Sequence, residues 1–451
     1  MSKSRVTLLG LLISALFFSQ PAMAQNGSAL DKRVISKVDK LVDKELSYLF
    51  DLYKYLHANP ELSYHEVNTA KRIARELRTL GFQVTEGVGG HGIVAILKNG
   101  DGPTVMVRTD LDALPVQEQT GLPYASKVRT KDDQGNEVYV MHACGHDMHM
   151  TSFVGTARVL SQLKDYWRGT LMMIGQPAEE RGGGARAMLA DGLFERFPRP
   201  NFALALHVSA SLPAGTIGYR EGYALANVDA VDITIRGAGG HGAYPHRTKD
   251  PIVLAAQTIL ALQTIVSREI APIEPAVVTV GSIHGGTKHN IIPDEAHLQL
   301  TLRSYSDEVR NHTIEAIKRI TRGLAMAAGV PEDRMPIVTV ADEYTPATYN
   351  DPELTLRLAA VLKQSLGEGN VIHTEPVMGG EDFGRYGRVE PRIPICIFWL
   401  GTVDPAKIEE SKKTGKPLPS LHSSLFAPVP EPSIRTGVKA MATSVLELLK
   451  K

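Results

Sequence analysis

The chain has 451 residues, 43% hydrophobic and 22% charged, with a formal net charge of +0. That length exceeds what one small core organises, so two domains are expected. The balanced charge argues against nucleic acid or an anionic membrane as partner, and no like-charge run or low-complexity tract stands out.

The first residues differ from the rest. Lys3 and Arg5 precede an apolar run at 6–18, followed by Pro21 and Ala22-Met-Ala24. A basic start, a short apolar run and a small-residue end predict a secretory signal peptide cleaved after Ala24. An uncleaved anchor is the alternative, but the run is short for a bilayer. The mature chain is therefore expected to be secreted or periplasmic. No other segment reaches membrane-span length by this reading, so no stable membrane association is expected after processing.

Apolar spacing predicts a helix over 31–56. Ser63-Tyr-His-Glu66 reads as a capping box opening a helix over 65–80 that Gly81 stops. Strands are expected at 82–88, 92–98 and 104–111, a helix at 147–163, a buried strand at 169–175, a short helix at 184–193 and a strand at 202–208. This alternation predicts an α/β domain with a largely parallel sheet. From about 225 the order becomes strand 228–236, helix 251–270, strands 277–283 and 295–305, helix 307–328 and strand 335–341. That is the β-α-β-β-α-β pattern of ferredoxin-like domains. A helix at 352–366, a strand at 394–400 and a helix at 432–449 then resume the first pattern. The simplest architecture is one α/β domain interrupted by a smaller one.

The densest chemistry lies in His142-Ala-Cys-Gly-His-Asp-Met-His149, followed by Glu179-Glu180. Thiolate, imidazole and carboxylate together suit a divalent transition metal, and a spare carboxylate beside such a site can activate water. An extended segment would point His142, Cys144 and His146 the same way, whereas His146 and His149 could share a helical turn. Spacing alone does not choose among these four. Glu179-Glu180 follows the strand 169–175, where open α/β sheets place their sites; a solvated acidic helix start is the bland alternative. His207, at the mouth of an apolar strand, is a ligand candidate or a satisfied core histidine. Asp110 and Asp112 fit ligand or supporting roles, or merely cap a loop. His422 alone says nothing. The glycine-rich segment around His241 lacks the context of a phosphate loop. Of the two cysteines, Cys144 sits among histidines, and Cys396 in an apolar run reads as a buried small residue, so a disulfide is not expected.

Taken together, Asp110-Leu-Asp-Ala-Leu-Pro115, His142-Ala-Cys-Gly-His-Asp147, Pro177-Ala-Glu-Glu180, Gly239-Gly-His241, Asn290-Ile-Ile-Pro293, Gly380-Glu-Asp-Phe383 and Leu421-His422 resemble the M20 metallopeptidase family over about 35–450, within it the amidohydrolase branch. The resemblance implies metal ligands Cys144, His146, Glu180, His207 and His422 shared between two divalent ions (zinc, manganese, cobalt or nickel), with Cys144 bridging. It implies Glu179 as general base, Asp112 as an orienting group, and Asn290 and Arg303 as substrate-binding. It implies that His241 polarises the scissile carbonyl, in its own or a partner subunit's site. The expected division is a signal peptide at 1–24, a catalytic domain at 25–224 and 344–451, and an inserted lid and dimerisation domain at 225–343, through which a homodimer would form.

The activity this implies is hydrolysis of N-acyl amino acids or related conjugates. A carboxypeptidase or dipeptidase on the same scaffold is the nearer alternative, and an exported binding protein without catalysis the remote one. Residues 130–139 are longer than the connection expected before the His/Cys motif. Their Asp-Gln-Gly-Asn centre reads as a hairpin tip at the edge of the site, where it could alter substrate choice.

Overall fold

The computed structural model describes residues 30–451, so the predicted signal peptide lies outside the described residues. An eight-stranded sheet runs in the order Gln83–Val88, Gly92–Asn99, Gly169–Gln176, Thr104–Asp110, Phe202–Pro213, Ile395–Val403, Ile217–Tyr219, Val371–His373. Its middle four strands are mutually parallel. The first two strands and the junction with Ile217–Tyr219 are antiparallel. The sheet is therefore mixed, with the expected parallel centre and antiparallel additions; the first edge pair is antiparallel because the chain turns straight back at Gly89-Gly90 instead of crossing over through a helix.

Both faces of the sheet are covered. Strand Thr104–Asp110 is buried at every position, as a central parallel strand requires. One face packs against helices Lys32–Ala58, His146–Gln162, Pro352–Leu366 and Pro430–Leu449, whose apolar stripes meet Val107, Leu171 and Leu204. The other face packs against Ala185, Met188, Phe383 and Tyr386.

A second sheet has the order Ala276–Gly285, Glu295–Ser304, Asn227–Arg236, Ile337–Val340, with every pair antiparallel. Helices Pro251–Thr264 and Asp307–Ala327 interleave with these strands in sequence. Alternation decides which face they cover. Val231, Ile233, Ile235, Leu298 and Leu300 point inward and pack with Leu254, Leu262, Ile314 and Ile317 in a core of their own. This is the β-α-β-β-α-β order that the periodicity predicts.

Two local expectations fail. The capping box is not formed: the helix is Val67–Thr79 and has no side-chain cap. Ser63 Oγ instead donates to Asp112 Oδ2 at 2.6 Å, and Glu66 Oε1 accepts the amides of Tyr64 and Ala178. Both residues serve the site rather than the helix. The expectation about membrane-span length also needs correction. The helical stretch Pro251–Glu269 passes by length and composition, with mean hydropathy 1.3. Its positions Leu254, Ala255, Thr258, Leu262 and Ile265 are spent on the second sheet.

Candidate metal centre

The C-terminal ends of three adjacent parallel strands deliver the site. Thr104–Asp110 ends in Asp110 and leads to Asp112, Gly169–Gln176 leads to Glu179 and Glu180, and Phe202–Pro213 carries His207. The His/Cys motif does not run extended past them. Gly145 donates its amide to the His142 carbonyl at 3.1 Å and has φ 77°, so the chain turns there and His146 enters a helix. A Cβ at Gly145 would stand 2.6 Å from Val208 Cγ2, so glycine is required by conformation and by space. Of the alternatives that spacing leaves open, the structure takes the one in which His146 and His149 share the first turn of a helix, not the extended segment.

The turn nevertheless brings the ligand candidates together. Cys144, His146 and His207 form one triad, and Cys144, Glu180 and His422 another, with the ligand atoms of each within 4.8 Å of one another. Cys144 is common to both. Hydrogen bonds fix the rings. His146 donates Nδ1–H to the Asp112 carbonyl at 2.8 Å, and His207 donates Nδ1–H to the Val208 carbonyl at 2.8 Å. Each ring is left with Nε2 as the ligating lone pair, the arrangement metal-binding histidines use. His422 stands in a left-handed conformation, φ 64°, and its amide donates to the Ala143 carbonyl at 2.9 Å.

The same geometry separates the remaining histidines of the motif. His149 is spent at both nitrogens, with Nδ1 2.8 Å from Asp110 Oδ1 and Nε2 accepting the Val208 amide at 2.9 Å. His142 is buried and belongs to neither triad.

The donor set fits two divalent cations. His146 Nε2 and Glu180 Oε1 are buried without a hydrogen-bond partner, which is costly unless an ion occupies them. Six carboxylates, Asp110, Asp112, Glu179, Glu180, Glu381 and Asp382, belong to this cluster, and one buried guanidinium, Arg108, sits among Asp110, Glu179, Glu381 and Asp382. It reaches Asp110 at 2.8 Å, Glu381 at 2.8 Å and Asp382 at 3.1 Å. Without cations this excess of carboxylate is strongly unfavourable. Burial, then Glu381, Glu180 and Asp382, push the Glu179 carboxyl well above its usual range. Burial and Asp112 push Glu180 up to about 7 against the pull of His146. Burial, then Glu180 and Glu179, likewise raise the Cys144 thiol well above its ordinary value. Bound cations would reverse all three directions.

Asp112 links these parts. Its Oδ2 accepts both Ser63 Oγ and the Glu180 amide (3.0 Å), while its carbonyl holds His146. Glu179 and Glu180 lie in a turn before helix Gly184–Ala190; Glu179 is buried and the Glu180 side chain is only 8% exposed, so the solvated helix-start alternative fails. Ala178, just before them, has φ 48°, a strained conformation for a residue other than glycine.

A cavity of about 420 Å³ opens over this cluster and is lined by Cys144, Glu179, Glu180, His207, His422 and, from the second sheet, Arg303. His241 and Asn290 do not line it. They lie together on the ribbon Gly240–His241/Ile291–Ile292, where the Gly242 amide donates to the Asn290 carbonyl at 2.9 Å. His241 is exposed, and its Nδ1 accepts the Ala243 amide at 3.0 Å, which leaves the proton on Nε2. The segment 130–139 does form a hairpin, Arg129–Lys131 with Glu137–Tyr139. Its Asp133 pairs at 2.9 Å with Arg181, the neighbour of Glu180.

Sequence reasoning missed Arg108, Glu66 and the roles of Glu381 and Asp382. A signal existed for the first. An arginine inside an otherwise apolar strand must find buried carboxylates.

The description Peptidase family M20/M25/M40 fits residues 106–414 of this chain. The chain is 36% identical to thermostable carboxypeptidase 2 of Saccharolobus solfataricus over 93% of its own length and all of that protein. It is 39% identical to hippurate hydrolase of Campylobacter jejuni, over 73% of this chain and 82% of the relative. Among solved structures, a dinuclear metal-binding peptidase of the M20 family from Bacillus subtilis superposes with TM-score 0.72 at 31% identity, covering 90% of this chain and 99% of that one.

Proposed function

This chain belongs to peptidase family M20, the metal-dependent hydrolases of amide bonds, and from that premise we propose that it releases amino acids from N-acyl amino acids or related conjugates. The observation that carries this reading is the pair of ligand triads sharing Cys144, with the further carboxylate of Glu179 beside them.

When bound, the two cations supply Lewis acidity and lower the pKa of water toward neutrality. Cys144, His146, Glu180, His207 and His422 hold them, and Asp112 orients His146 and the Glu180 backbone. Glu179 takes the proton of the attacking water and passes it to the leaving nitrogen. Arg303, half-buried in the cavity wall, receives the carboxylate of the amino-acid part, and Asn290 binds a polar group of the substrate. His241 donates Nε2–H to the developing oxyanion. Its absence from the cavity of its own chain supports service in a second copy, with the inserted domain as the dimer interface and lid. The basic-then-apolar sequence of 1–24 supports export, as a secreted or periplasmic protein.

The test is amino-acid release from a panel of N-acyl amino acids and dipeptides, with and without chelator. Chelator-sensitive release from the N-acyl compounds is expected. Exclusive release from peptides would favour the carboxypeptidase reading, which the 36% identity to a carboxypeptidase over 93% of the chain keeps in play.

A further inference from the structure

The short segment between the first two helices runs beside the residues that follow Asp110. Leu62 bridges Ala113 in parallel, and the Ala113 amide donates to the Glu61 carbonyl at 2.8 Å. This pairing sets Ser63 beside Asp112, where its hydroxyl donates to Oδ2 at 2.6 Å. The same oxygen accepts the Glu180 amide at 3.0 Å. The other oxygen, Oδ1, is buried without a hydrogen-bond partner. It stands 3.4 Å from His146 Nδ1, whose proton goes instead to the Asp112 carbonyl at 2.8 Å. One imidazole N–H thus has two acceptors of the same residue within reach, a neutral carbonyl that it uses and a carboxylate that it does not.

We infer that Ser63 is a positioning residue that makes this choice for His146. A buried carboxylate oxygen left unpartnered beside a ready donor is unfavourable, so the carboxylate must be held in that orientation. The hydrogen bonds at Oδ2 from the Ser63 hydroxyl and the Glu180 amide hold it. The inference rests on the metal-centre reading above and not on any particular substrate. The choice has a chemical consequence. A carboxylate acceptor at Nδ1 makes an imidazole a stronger electron donor through Nε2 than a carbonyl acceptor does, and a stronger donor leaves a bound cation the weaker Lewis acid. His207, the other histidine of the same triad, also donates to a carbonyl, that of Val208 at 2.8 Å. Both rings are thereby kept as the weaker kind of donor. For His207 no carboxylate competes at Nδ1 in its hydrogen bonding, whereas for His146 the competing carboxylate is restrained through Ser63.

Zinc-loaded protein, isotopically labelled at its histidine nitrogens, is compared by NMR with Ser63→Ala, Ser63→Thr and the double variant Ser63→Ala/Asp112→Asn. In Ser63→Ala the freed carboxylate should take the His146 proton, so the Nδ1–H resonance moves downfield. The Nδ1–H of His207 should stay in place, which separates this change from a general loosening of the site. Zinc content should be unchanged and kcat should fall about tenfold. Ser63→Thr keeps the hydroxyl, and the cavity of about 190 Å³ that Ser63 lines has room for the added methyl group, so it should restore both the resonance and kcat. Asp112→Asn in the Ser63→Ala background removes the carboxylate and should cancel the downfield shift. A His146 resonance unmoved in Ser63→Ala would overturn the inference. So would equal movement of the His207 signal, a shift that survives Asp112→Asn, or a Ser63→Thr protein that behaves as Ser63→Ala. Wild-type protein that takes up no zinc would instead refute the metal centre itself. Full zinc uptake without turnover of any conjugate would refute the hydrolase reading, and the resonance would still decide the role of Ser63.

Discussion

Glu66 Oε1 accepts the amide of Ala178 at 2.7 Å across 112 residues of chain. The same oxygen accepts the Tyr64 amide at 2.9 Å. Tyr64 and Ala178 both have positive φ, 67° and 48°. One fully buried carboxylate thus holds two strained residues, and the second immediately precedes Glu179. Glu66→Ala should release this turn and misplace the Glu179 carboxylate, lowering kcat about 10- to 100-fold with metal content unchanged. Ala178→Gly in that background should recover part of the loss, since glycine adopts the same φ without cost. Steady-state kinetics with metal analysis of the three proteins checks this. A Glu66→Ala enzyme with full kcat, or one that simply loses its metals, would count against the role.

The adjacent glutamates should separate cleanly. Both lie near His146, but only Glu180 shares a triad with Cys144 and His422, whereas Glu179 alone also faces Glu381 and Asp382. Glu179→Ala is expected to keep both metals and lose turnover by about 10²- to 10⁴-fold. Glu180→Ala is expected to lose metal, with activity falling in proportion. Metal stoichiometry beside kcat decides it, and equal metal loss in both variants would contradict the division of roles.

How much of this was legible in the chain follows from what each residue is for. Helices and strands with an apolar period announce themselves, because burial of one face is what both the period and the fold express. Strands Ile217–Tyr219, Gly222–Leu225, Thr348–Asn350 and Val371–His373 escaped because three or four residues carry no period and their pairing is long-range. Helix Pro405–Thr414 escaped because it buries nothing, although Asp404, Pro405 and Gly415 are start and stop signals that could have found it. Ser63 and Glu66 misled because residues suited to capping a local helix were spent on a distant turn. The ligand candidates needed the resemblance. Cys144 and His207 meet at 3.5 Å from 63 positions apart, and no spacing rule contains that distance.

His241 tests whether the site is completed by a second copy. His241→Ala should lower kcat about 10²- to 10³-fold while fold and metal content persist. If the residue serves a partner, mixing this variant with Glu179→Ala and allowing subunits to exchange should restore activity, since a hybrid dimer holds one site with both residues intact. Sedimentation should show a dimer under the same conditions. Near-wild-type rates for His241→Ala would remove it from the reaction, and a monomer that turns over would remove the partner.

A last prediction concerns stability rather than chemistry. Helix Lys32–Ala58 places His57, 1% exposed, between two carboxylates, with Nδ1 2.7 Å from Asp147 and Nε2 3.0 Å from Glu118. Burial alone would lower the His57 pKa, but the hydrogen bonds and charges of Asp147 and Glu118 prevail and raise it to about 10, from an ordinary value of 6.5. The folded protein therefore binds this proton more tightly than the unfolded chain. Its contribution is complete below about pH 6.5 and is lost as the pH rises toward 10. His57→Asn, which removes the charge, should cost about 3–5 kcal/mol at pH 6. The cost should shrink steadily by pH 10, where the wild-type ring is losing its proton. Denaturant unfolding of both metal-loaded proteins at pH 6, 8 and 10 measures the difference. A gap that does not change with pH would mean that His57 is neutral in the folded state and that the clamp between the first helix and the metal-binding helix is not ionic.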